Sequence, residues 1–142
     1  MNATWAAVAA AAAFVWLGMV LAISFLEAPL KFRAPGVSVR IGLGIGRLVF
    51  RALNRAEAVL AALVAVAVVA GGLPAPVVAL TALAVALLVV QLAGVRPVLN
   101  RRTDRVLAGE DVPRSRAHLV YVACESVKAL TLPALGIAAL AV

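Results

Sequence analysis

The sequence predicts an all-α, polytopic membrane protein: an antiparallel four-helix transmembrane bundle, N-out and C-out, forming one integral membrane domain over residues 1–142. Three observations carry this. Hydrophobic residues make up 65% of the chain and charged ones 13%, where a soluble domain carries about 45–50% and about 25%. Long apolar runs recur, and roughly 20 apolar helical residues cross a hydrocarbon core about 30 Å thick. Lys and Arg crowd two of the three connections and avoid the rest.

The helices are expected over about residues 4–30, 40–73, 76–107 and 114–141. Helix one runs uncharged from Thr4 to Leu26, and its start, Met1-Asn2-Ala3-Thr4-Trp5, lacks the positive residues of a signal peptide. Pro35-Gly36 marks a turn. Helix two opens with Arg47, Arg51, Arg55 and Glu57 and is apolar from Ala58 to Leu73. Gly71-Gly72-Leu73-Pro74-Ala75-Pro76 reads as a tight hairpin, with Gly closing one helix and Pro opening the next. Helix three is Val/Leu/Ala-rich from Pro76 to Val95. It continues as an amphipathic extension through Asn100 to Leu107, stopped by Gly109. Asp111-Val112-Pro113 is expected to start helix four as an Asp cap followed by a first-turn Pro. A bilayer demands internally satisfied backbone, so these spans are helices, and no alternating pattern suggests a barrel.

Charge orients the spans. Lys31, Arg33, Arg40, Arg47, Arg51 and Arg55 flank the first connection, and Arg96, Arg101, Arg102, Arg105, Arg114 and Arg116 the third. Only Lys128 lies elsewhere. Positive residues stay cytoplasmic, which places both termini outside and predicts a multi-pass protein of the cell (inner) membrane. The net charge of +7 then serves topology and contact with anionic lipid headgroups, not nucleic-acid binding. Cys124 and His118 are the only cysteine and histidine. They leave no disulfide within the chain, no CxxC and no His-rich metal set, so no cofactor or metal is expected.

Ionisable residues inside apolar helices cost roughly 2.5–3.5 kcal/mol each at a helix centre and face partners or water. His118, Tyr121, Glu125 and Lys128 follow spacings of three, four and three on helix four and share one face. Glu125 and Lys128 are placed to pair. Arg47, Arg51 and Asn54 form a stripe on helix two, flanked by Arg55 and Glu57, and Glu27 ends helix one. A polar cluster between helices two and four is expected. It serves either as ion pairs holding the helices together or as a proton, ion or substrate site in which Glu125 carries charge and Lys128 partners it.

Gly42, Gly44 and Gly46 lack the spacing and setting of a dinucleotide loop. Gly42 and Gly46 instead suit close packing of helices one and two. No Ser-His-Asp set, HExxH or P-loop is present. A small multidrug-type transporter would carry a carboxylate in the middle of helix one, and here the first is Glu27.

Trp16-Leu17-Gly18 and Phe25-Leu26-Glu27-Ala28-Pro29-Leu30-Lys31-Phe32 resemble small four-helix bacterial membrane proteins of unassigned function. These are distantly similar to the eukaryotic transmembrane protein associated with cisplatin resistance. The resemblance covers mainly residues 1–60. It implies a four-helix membrane fold and no established activity. The expected role is that of a structural or accessory bundle packing with a second copy or another membrane protein. The alternative is a small transporter or channel built on Glu125 and Lys128.

Overall fold

A computed structural model describes residues 2–142. Four helices are long and apolar enough to cross a membrane: α1 Asn2–Arg33, α2 Val39–Gly71, α3 Ala75–Leu107 and α4 Arg116–Leu140. Among the described residues there is no strand.

Each helix begins and ends for a local reason. The Ser38 hydroxyl accepts from the Ile41 N–H at 3.2 Å and caps α2. At the other end Gly72 takes φ +57°, which turns the chain and lets the Leu73 N–H reach the Val68 carbonyl at 3.1 Å. Pro76 sits in the first turn of α3, where its missing N–H costs nothing.

Prolines also shape the far ends of α1 and α3. Each of these helices widens into a π turn, over Leu21–Glu27 and Val90–Val95, just ahead of Pro29 and Pro97. A proline ring collides with the carbonyl four residues back. Widening the turn moves that carbonyl aside, and the next N–H groups bond one residue further back, Ala28 to Ile23 and Arg96 to Gln91.

The fourth helix starts later than its sequence suggests. Asp111 and Pro113 do not open it; the chain is irregular from Glu110 to Ser115 and α4 begins at Arg116. Proline keeps the residue before it out of helical geometry. The carbonyls of Val112 and Pro113 instead accept from Arg102 Nε at 3.2 and 3.1 Å, which ties this loop to the end of α3.

The strong helix–helix contacts form a closed ring in which α1 packs on α2 and α4, and α3 packs on the same two. The helices α2 and α4 therefore face each other across one diagonal, and α1 and α3 across the other. The core on α1 is a run of small residues, Ala6, Ala9, Ala10 and Ala13, leading to Trp16 and Val20. Such residues let helix backbones approach closely. At Gly136 of α4 an added Cβ would fall 2.5 Å from the Phe14 ring of α1. Gly42 and Gly46 lie where α2 meets α1, with side chains and not the α1 backbone filling the space they leave. Gly42 receives the Phe32 ring and Gly46 the Lys31 ammonium, so both seat side chains from the end of α1. Outside the ring, Leu48, Val59, Val69, Leu130 and Leu140 are exposed. By length and composition these helices are those of a multi-pass membrane protein.

Candidate functional site

The centre of the ring, where the two diagonals cross, is charged. Glu57 of α2 and Lys128 of α4 meet there as an ion pair. Glu125, one turn before Lys128, is 2.7 Å from the same ammonium. Gln91 of α3 accepts from Lys128 Nζ at 2.7 Å through its Oε1 and donates through Nε2 to Glu125 Oε1 at 2.8 Å. Trp16 of α1 donates from its indole Nε1 to Glu57 Oε2 at 2.7 Å. Every helix supplies at least one member. Exposure is 0% for Trp16, Glu57 and Lys128, 1% for Gln91 and 2% for Glu125, so neither water nor lipid reaches them from outside.

Why these residues converge follows from position. Glu57 occupies the buried stripe of α2 with Leu53, Ala61 and Val64. Gln91 lies in the π turn of α3, at the residue whose carbonyl takes the displaced Arg96 N–H. Tyr121, Glu125, Lys128 and Leu132 recur every three or four residues on the buried face of α4.

The hydrogen-bond inventory is instructive. An ammonium has three N–H groups; Lys128 donates to Glu57 and Gln91, and Glu125 lies against it as a second counter-charge at 2.7 Å. Two carboxylates face that one cation. Glu57 Oε1, Glu125 Oε2 and the Tyr121 hydroxyl are buried with no hydrogen-bond partner among the described residues.

The other polar residues singled out by sequence lie elsewhere. Tyr121 is buried one turn from Glu125, edge-on to Phe50 with ring centres 5.7 Å apart and with the Arg96 guanidinium 4.6 Å above its ring. His118 is half-buried at the loop end of α4. Arg47 pairs with Asp104 on the extension of α3 at 2.7 Å. Arg51 is exposed, and Asn54 is buried between α2 and α3, where both line a groove. Glu27 pairs with Lys31 on its own helix at 3.8 Å. Of the nine expected residues, then, Glu57, Glu125 and Lys128 come together at the centre, with Tyr121 beside them. Arg47, Arg51, Asn54, His118 and Glu27 do not join them. Trp16 and Gln91 belong to the cluster and were missed. The signal for Gln91 was available, because a lone amide in a Val/Leu/Ala run needs a partner as a charge does.

No grouping of His, Cys, Asp and Glu suited to a metal ion occurs among the described residues. No family model, curated protein or solved structure matches the chain.

Proposed function

We propose that this chain is an integral protein of the cell membrane whose four spans run antiparallel, termini outside, and whose role is structural or accessory, packing with itself or with membrane partners. The observation that carries this reading is the sealed centre. One ammonium is held by side chains from three helices, the fourth helix donates to one of the same carboxylates, and exposure is essentially nil. A carrier or channel site must open to water on at least one side, whereas a closed network of this kind fixes helix register and partner choice.

A second reading has one specific observation in its favour. The unpartnered oxygens of Glu57 and Glu125 give the centre capacity for a proton or cation, as a small transporter or channel would use. Proteoliposomes loaded with a pH-sensitive dye separate the two. The structural reading predicts that an imposed proton gradient decays no faster than in protein-free vesicles. Faster decay that is abolished by Glu125→Gln would replace it with the transport reading.

A further inference from the structure

A second polar feature lies off the bundle axis, at the positively charged ends of α2 and α3. A groove of about 300 Å³ runs between these helices. Arg51 and Arg55 of α2 are four residues apart, as are Arg96 and Asn100 of α3, so each pair occupies one helix face and both faces line the groove. Asn54 lies between the arginines. One turn nearer the apolar middle of each helix the lining changes to Ala58 and Leu92.

Of the eleven arginines, only Arg47 and Arg105 hold a carboxylate among the described residues, Asp104 and Glu110; what sets Arg51, Arg55 and Arg96 apart is that all three line one groove. Among the described residues no acid lies within ion-pair distance of Arg51, Arg55 or Arg96. Arg96 is further constrained, because its guanidinium lies 4.8 Å from the Phe50 ring centre and 4.6 Å from that of Tyr121, which fixes its plane. Its Nε is buried with no acceptor. Three like charges around one groove are unfavourable. A phosphate relieves them, since its oxygens match the guanidinium fork.

We propose that this groove binds the phosphate of an anionic phospholipid, held by Arg51, Arg55 and Arg96 with Asn54 and Asn100, its acyl chain lying over Ala58 and Leu92. The proposal rests on the membrane-spanning reading. The apolar floor is what distinguishes a lipid from a free phosphate, because a small anion has no use for Ala58 and Leu92. It goes beyond diffuse attraction of cytoplasmic arginines to a charged leaflet, which needs no groove.

Native mass spectrometry of the full-length protein in micelles, titrated with phosphatidylglycerol or phosphatidylcholine, tests it. Phosphatidylglycerol should be retained in preference. The double variant Arg51→Gln with Arg55→Gln should weaken its binding about thirtyfold, as expected for two arginines at an anionic headgroup. The control double variant Arg33→Gln with Arg114→Gln removes the same charge from exposed positions outside the groove and should leave binding within about threefold of wild type. Equal losses in the two double variants would show unspecific attraction and overturn the site. So would equal retention of the two lipids. Thermal stabilisation by inorganic phosphate equal to that by phosphatidylglycerol would overturn the lipid assignment. Carbonate extraction of membranes distinguishes failure of the premise. Protein released by alkaline carbonate would refute the membrane-spanning reading itself, while carbonate-resistant protein with no lipid preference would refute the groove alone.

Discussion

Replacing Lys128 with Met should destabilise the protein far more than replacing either carboxylate with its amide. Lys128 is the only cation at the centre among the described residues; it donates to Glu57 and Gln91 and pairs by charge with Glu57 and Glu125. Methionine fills a similar volume but leaves two carboxylates facing each other, with only Trp16 and Gln91 as donors. Removing one partner of a buried ion pair costs about 3–5 kcal/mol, and the repulsion left here puts Lys128→Met at the upper end. Glu125→Gln is different. The amide oxygen still lies against the ammonium and accepts from Gln91, and Glu57 remains as the counter-charge. The loss is the difference between a charged and a neutral hydrogen bond, about 1 kcal/mol. Adding Glu57→Gln and Glu125→Gln to Lys128→Met removes the repulsion and should recover most of the loss. Each variant would be purified in mild detergent and unfolded by heat or by added dodecyl sulfate, with helical circular dichroism as the signal. Equal destabilisation by Lys128→Met and Glu125→Gln would refute the reasoning, since it would mean that the ammonium is not shared by two carboxylates.

Two further predictions concern topology and packing. Single cysteines placed at Gly72 and Gly109 in a Cys124→Ser background should label oppositely with an impermeant thiol reagent on intact cells. Gly72 should react and Gly109 should not, and the reverse pattern would invert the orientation. Gly136→Leu should lower stability by about 1–3 kcal/mol, because the new side chain meets the Phe14 ring. Gly18→Leu, at a position with open space around it, should change stability little. Equal effects of the two would mean that α1 and α4 do not pack through Gly136.

What could be read from the sequence was what a single helix can encode. The four spans, the Gly72 turn and the Gly109 stop follow from local composition and agree with the helices observed. The buried face of α4 follows from its spacing, and Tyr121, Glu125 and Lys128 are its polar members. Periodicity names a face but not the helix opposite. Arg47 shares the stripe of Glu57 roughly, yet it lies far enough along α2 to meet Asp104 on the extension of α3. Glu27 is at the correct end of α1 but has Lys31 one turn away to hold it. Trp16 drew notice only as part of a resemblance, although its indole N–H required an acceptor wherever it was buried. The late start of α4 depended on Arg102, a side chain ten residues away in sequence, capturing the loop carbonyls. The π turns had a local signal in Pro29 and Pro97, each inside a helix too long to end there.

The central claim is that the charged centre is closed to both water and lipid, and Trp16 reports on it directly. Its ring is fully buried and its N–H is bound to Glu57. In a Trp5→Phe variant Trp16 is the sole tryptophan, and its fluorescence can be measured in lipid vesicles with acrylamide or with brominated acyl chains as quencher. A sealed bundle predicts weak quenching by both. Strong quenching by acrylamide would reveal a water-filled cavity at Glu57 and Lys128, strong quenching by brominated chains would turn Trp16 out to the lipid, and either result would contradict this account.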